Sequence, residues 1–155
     1  DGFVAKYDTS GTFQWAKSIS GSGFDVGFGI ATGSAGNVYV TGLYEGGVTI
    51  GPSTSLTGVG GQDTFVVKYD TSGTVQWAKS IGGMSTDSGR GIATDSGGNV
   101  YVTGEYVGSV TIGSTTLNST GSRDAFVAKY NTSGAAQWAK SIGGTSSEEG
   151  HGIAT

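Results

Sequence analysis

Apolar and polar side chains alternate along this chain in short bursts, each bounded by Gly, Ser, Thr, Asn or Asp. In the run from Val38 to Thr41, Val38 and Val40 fall on one side of an extended backbone and Tyr39 and Thr41 on the other, the two-residue period of a strand. Four such runs recur in a fixed order. The first spans Ile30 to Thr32 and Ile92 to Thr94, short and uncharged, as suits a strand packed on both faces. The second spans Val38 to Tyr44 and Val100 to Tyr106. The third is Phe3 to Tyr7, Phe65 to Tyr69 and Phe126 to Tyr130, and the fourth Phe13 to Ile19, Val75 to Ile81 and Ala136 to Ile142. Trp15, Trp77 and Trp138 set the period, lying 62 and 61 residues apart.

The links between these runs carry hairpin chemistry. Asp8-Thr9-Ser10-Gly11, Asp70-Thr71-Ser72-Gly73 and Asn131-Thr132-Ser133-Gly134 join the third run to the fourth. Each puts an Asx side chain where it accepts backbone N–H groups and a glycine where positive φ is needed. Asp95 to Asn99, matched by Gly33 to Asn37, joins the first run to the second. A longer stretch, Val107 to Arg123, contains Val110-Thr111-Ile112-Gly113 and is expected to add a short extra β segment at one edge.

Four antiparallel strands per repeat predict an all-β fold of β-propeller blades. Such a sheet has two apolar faces and must stack on a neighbour, and propellers close with about four to eight blades. The expected division is a partial blade over 1–28, full blades over 29–90 and 91–151, and the first strand of a further blade over 152–155. The chain is then read as a piece of a longer protein, with completion of its open ends by other copies as the alternative.

The segments from Asp87 to Gly104 and from Asp124 to Gly144, which carry the D-x-G-x-G-I-A lead-in, NVYVTG and DAFVAKY followed by QWAKSIGG, resemble the bacterial SBBP-type β-propeller repeat across essentially the whole chain. Gly33 replaces Asp95 in the first repeat, and Glu148 stands where Asp25 and Asp87 stand earlier, which touches turn detail only. The resemblance implies an extracellular or cell-surface chain with a structural or binding role, and it implies no catalytic residues.

Composition narrows the chemistry. There are 31 glycines, one proline and 13% charged residues, a turn-rich makeup that agrees with all-β. A net charge of −4 with basic residues spread along the chain does not fit a nucleic-acid binder, which gathers Lys and Arg on one face. Without cysteine, thiolate catalysis and Cys-ligated metal are excluded. No apolar run reaches the roughly 20 residues that span a bilayer, so membrane insertion is not expected, and any export signal is expected outside this segment.

Neither catalytic, cofactor-binding nor metal-binding residues are expected. Asp1, Asp63 and Asp124, Asp25, Asp87 and Glu148, and Asp8 and Asp70 recur at matching repeat positions, so they are read as turn and N–H acceptors. Only Glu45, Glu105 and Glu149 lack repeat equivalents, and none shows a partner in the sequence. The tract Asp95 to Asn99 offers at most two of the oxygen ligands a calcium loop needs. The tryptophans are read as packing between blades, with sugar stacking as the competing role. Asn118 and Asn131 head sequons that matter only in a glycosylating host.

Function is expected where the repeats disagree: Ser20 to Phe28 against Gly82 to Arg90 and Gly143 to His151, and the loops Leu43 to Gln62 and Glu105 to Arg123. Phe28, Arg90 and His151 head the first strands, and they form the expected ligand-binding patch. The chain is read as a non-enzymatic scaffold whose partners are other protein chains or copies of itself. A glycan-binding, lectin-like propeller is the alternative, with a propeller hydrolase behind it.

Overall fold

The computed structural model describes all 155 residues and contains strands and turns without a helix. In chain order the strands are β1 (Gly2–Tyr7), β2 (Phe13–Gly21), β3 (Val26–Thr32), β4 (Val38–Ile50), β5 (Thr54–Tyr69) and β6 (Val75–Ile81). There follow β7 (Ser88–Thr94), β8 (Val100–Tyr106), β9 (Ser109–Ile112), β10 (Thr115–Asn118), β11 (Asp124–Tyr130) and β12 (Ala136–Ile142). Strands β3-β4-β5-β6 form one antiparallel blade and β7-β8-β11-β12 a second, while β1 and β2 pair with each other. The blades are the four-stranded antiparallel units expected from the alternation.

The third-to-fourth turns form as their Asx and Gly residues require. Asp8 Oδ1 accepts from Ser10 N and Thr12 N at 2.9 Å each, Asp70 repeats both distances, and Asn131 does the same at 3.1 and 2.9 Å. Gly11, Gly73 and Gly134 close these turns at φ of 81°, 79° and 80°, a region that a Cβ disfavours. The hydroxyl of Ser10, then the Thr12 N–H, holds the Asp8 carboxyl below its ordinary range, and Ser72 and Thr74 do so for Asp70.

The extra β segment is larger than its sequence suggested. In the first full blade β4 and β5 run on past a bulge at Glu45 to Gly47 as one long hairpin; in the second, the same arm separates as β9 and β10. Each arm reaches back onto the fourth strand of the preceding unit. Ile19 pairs with Ile50 and Gly21 with Val48, and Gly82 bridges Thr111 in the next copy. Main-chain hydrogen bonds therefore strap neighbouring blades together, beyond their apolar contact.

Alternation along each strand sends side chains into two separate cores. Val38 and Val40 of β4 with Phe65, Val67 and Tyr69 of β5 face Val4, Trp15 and Ile19. Tyr39 and Val66, on the opposite face, meet Val100, Val102, Phe126 and Tyr130. The central blade is thus buried on both sides, and its third strand carries Val67 where the flanking copies have Ala5 and Ala128. Residues 152–155, expected to begin a further blade, carry no strand. A strand is defined by a partner's N–H and C=O groups, and no second-run strand lies beside this segment; only Thr155 Oγ1 reaches the Thr94 carbonyl, at 2.8 Å.

Candidate functional site

The tryptophans occupy the seam between units. Trp15 Nε1 donates to the Thr71 carbonyl at 3.0 Å, and Trp77 Nε1 to the Thr132 carbonyl at 3.1 Å, so each indole sits on the third-to-fourth turn of the following repeat. Lys6 and Lys68 Nζ donate to the same two carbonyls, at 3.4 and 3.2 Å. Trp15 lies 5.8 Å from the Tyr69 ring and Trp77 6.3 Å from Tyr130. Aromatic area and the indole N–H are both spent on stacking, the packing role read from their register. Trp138 packs edge-on to Tyr101 and is more open than its two counterparts.

Asp25, Asp63, Asp87, Asp124 and Glu148 do one job. Asp25 accepts from Gly21 N at 2.6 Å, Asp87 from Gly83 N at 2.8 Å and Glu148 from Gly144 N at 2.8 Å. Asp63 and Asp124 take Val59 N and Thr120 N, at 2.6 and 3.1 Å. Each ties a loop four residues upstream, which is structural work, as the repetition implied. In the tract once comparable with a cation loop, Asp95 accepts from Asn99 N, Asn99 Nδ2 and Tyr101 Oη at 2.9, 2.8 and 3.1 Å. Its carboxylate is engaged within its own hairpin.

Two of these acids give the fold a pH dependence. Burial pushes the Asp63 and Asp87 carboxyls up to about 6, and the Asp63 charge adds to the effect on Asp87. The unfolded chain releases these protons near 3.8, so between 3.8 and about 6 the folded state binds more protons than the unfolded one. Stability is expected to rise as pH falls through 6 and to level off near 4. Thermal melts across this window check it: Asp87→Asn should flatten the rise, and an unchanged slope in that variant would refute the assignment.

The residues that differ between repeats converge. Phe28 and Arg90 are each the extra residue of a bulge, where β3 and β7 shift register between Gly27 and Gly29 and between Gly89 and Gly91. A bulge re-aims its side chain. The Arg90 guanidinium lies 4.5 Å from the Phe28 ring centroid and clasps Glu105 of β8, with Nε at 3.1 and 3.2 Å and Nη2 at 2.7 Å. Arg123, ahead of β11, lies 3.9 Å from Glu105 and also pairs with Glu149, whose other oxygen is 3.2 Å from His151 Nε2. The Glu105 hydrogen bonds raise the Arg90 pKa, keeping its charge fixed.

Phe28 and Arg90 therefore touch, and His151 joins them only through Glu149, Arg123 and Glu105. The expectation that Glu105 and Glu149 lack partners is corrected: they anchor an ionic chain. Their partners lie 15 and 26 residues away and meet only after β7 pairs with β8 and the 143–151 loop folds over. The sequence did hold one signal. Leu43 occupies the position of Glu105 one repeat earlier and Phe28 that of Arg90, so an apolar pair gives way to an ionic pair in step.

The acids do not form a hydrolytic pair. Glu105 is paired with Arg90 and Glu149 with Arg123, and neither acid lines a cavity. The largest cavity, about 190 Å³, lies between β1 and β3 and is lined by Phe3, Val4, Ala5, Phe28, Ile30 and Val40, without a titratable group.

Residues 76–105 match a family model described as a β-propeller repeat, SBBP. Among curated proteins, an uncharacterized WD repeat-containing protein of Acanthamoeba polyphaga mimivirus is 32% identical over 171 residues, covering 90% of this chain. A regulatory protein, FlaEY, of Caulobacter vibrioides is 31% identical over 142 residues, covering 86%. The chain spans only 12% and 14% of the lengths of these two relatives.

Proposed function

Because the chain is built of β-propeller repeats of the SBBP type, with the family model matching residues 76–105, we propose that it is a non-enzymatic scaffold that binds other protein chains. The binding surface is the rim bearing Phe28, Arg90, Arg123 and His151. In this reading the chain works outside the cell or on its surface, and it also associates with copies of itself through the ends of its blade stack.

One observation carries the proposal. Trp15 and Trp77, and the recurring acids Asp25 and Asp87, serve the fold in the same way in successive repeats, whereas the varying residues Arg90, Glu105, Arg123, Glu149 and His151 gather at a single junction as a charged, partly open cluster. A scaffold keeps its framework and varies its recognition surface. Arg over an aromatic ring, held by a buried carboxylate, is a preorganised anchor of the kind that dominates protein interfaces. The relatives are described as a WD repeat-containing protein and a regulatory protein, which agrees with a binding role. No helix is long and apolar enough to cross a membrane.

The test uses the protein's own alternative. Arg90→Phe with Glu105→Leu copies the Phe28 and Leu43 pair of the preceding repeat, and replacing a buried ion pair with well-packed apolar residues is often neutral or stabilising by about 1–4 kcal/mol. The double variant is expected to melt like the parent and to lose the proteins that the immobilised parent retains from an extract. Retention of the same proteins by the variant, or binding of free glycans in place of proteins on an array, would overturn the proposal.

A further inference from the structure

We infer that the cavity between the 33–37 and 95–99 turns of the two blades binds a carboxylate, on a small organic acid or on an acidic side chain, through Asn37, Tyr39 and Lys68. The same chain shows that chemistry one repeat later. There Asp95 accepts from Asn99 N, Asn99 Nδ2 and the Tyr101 hydroxyl at 2.9, 2.8 and 3.1 Å, and Lys129 Nζ lies 5.1 Å from the Tyr101 ring centroid. The Asn99 side chain, then its N–H, Tyr101 and the Lys129 charge, hold the Asp95 carboxyl below its ordinary range. Such a donor set selects the ionised carboxylate.

Every donor has a counterpart in the preceding blade, but the acceptor does not. Asn37, Tyr39 and Lys68 stand at the positions of Asn99, Tyr101 and Lys129, while Gly33 replaces Asp95. The turn keeps its shape without the acid. Gly33 N donates to the Asn37 carbonyl at 3.0 Å and Gly36 N to that of Gly33 at 2.9 Å, against 3.1 and 3.0 Å for Asp95 and Gly98. Lys68 Nζ lies 5.7 Å from the Tyr39 ring centroid, as Lys129 lies beside Tyr101. An added Cβ on Gly33 would point at Tyr39, 3.2 Å from Cε2 and 3.6 Å from the hydroxyl oxygen. The place that the Asp95 carboxylate takes in its own repeat thus opens here on a cavity of about 170 Å³, lined by Gly33, Asn37, Tyr39 and Lys68 and by the 96–98 turn of the next blade.

Charge and size narrow the occupant. Lys68 is the one charged residue that lines the cavity, and its ammonium is fixed at the wall by donation to the Thr132 carbonyl at 3.2 Å. Tyr39 is buried, so a hydrogen bond from its hydroxyl forms away from bulk water and is the stronger for it. The volume falls below the roughly 300 Å³ of pockets for drug-sized ligands, which suits an acid of a few carbons. The cavity lies past the end of β3, whereas Phe28 and the rim lie near its start, so binding here is independent of protein capture there.

Amide NMR of the isotope-labelled chain, titrated with sodium acetate against sodium chloride at constant ionic strength, tests this. The Asn37 backbone and side-chain amide signals are expected to shift to saturation, while those of Asn99, already engaged by Asp95, stay in place. Gly33→Asp copies the turn of the next repeat and should abolish the response by supplying the acid from the chain itself. Tyr39→Phe should weaken acetate binding about tenfold, the loss of one hydrogen bond to a charged group. A capped Gly-Asp-Gly peptide separates the two sources: tighter binding than acetate assigns the site to an acidic side chain, and weaker binding to a free acid. Shifts that never saturate, that acetamide or chloride reproduces, or that persist in both variants would overturn the inference. None of these results bears on the Arg90 rim.

Discussion

Phe65→Ala is expected to lower the unfolding free energy by about 3–5 kcal/mol, the cost of emptying a fully enclosed aromatic site. Phe65 has no solvent exposure and lies in the core that joins the central blade to β1 and β2. Its ring also covers Gly42, where an added Cβ would lie 2.9 Å from Cε1, so the surroundings have little else with which to fill the void. At roughly 2–4 °C per kcal/mol for a chain of this size, the thermal midpoint should drop by about 10 °C. Phe3→Ala removes the same atoms from the same repeat position and should change stability by less than about 0.5 kcal/mol in dilute solution, because that side chain is already in water. Urea unfolding followed by circular dichroism compares the two. Equal losses would show that the third strand's aromatic acts through the strand itself and not through the blade stacked on it.

Gly104→Ala should be as damaging, from the opposite cause. A Cβ there would lie 1.9 Å from the Ser88 carbonyl oxygen, and one at Gly42 would lie 1.9 Å from that of Val26. Backbone meets backbone at both sites, so no rotamer change relieves the clash. The crowding comes from the bulges at Arg90 and Phe28, which draw the neighbouring strand inward while turning those side chains to the rim. The methyl is expected to break the β7–β8 pairing, costing at least about 3 kcal/mol and opening β7 to hydrogen exchange. Gly27→Ala is the control. It sits one residue from the equivalent bulge, but its nearest neighbour is Val40 Cγ1 at 3.6 Å, and it should be tolerated. If Gly104→Ala exchanges like the parent, the bulge does not fix the position of Arg90.

These two residues show how far the sequence could be read. Alternation places Phe65 in the third run and Gly104 in the second, because that signal lies within a few residues. The Asx turns were legible for the same reason: Asp70 bonds to groups two and four residues on. The arm formed by β9 and β10 was legible only as a β segment. Its reach onto the preceding blade depends on a bulge and on a strand lying some thirty residues earlier, as at Gly82 and Thr111. Of the rim, Phe28, Arg90 and His151 were found by comparing repeats, whereas Glu105, Arg123 and Glu149 were not joined to them.

By itself, then, the chain determined its strands, their order, its turns and its blade type, since local alternation and a repeat of 61 to 62 residues are properties of neighbours along the sequence. Tertiary structure alone decided which copy of an identical residue is buried. Phe3 and Phe65 are both followed by Val and lie four residues before Tyr, but of the two only Phe65 has a blade stacked over it. It also decided that two acids without repeat counterparts would share a pair of arginines. Burial and ion pairing depend on what is brought alongside through space, and alternation along one strand carries no record of that.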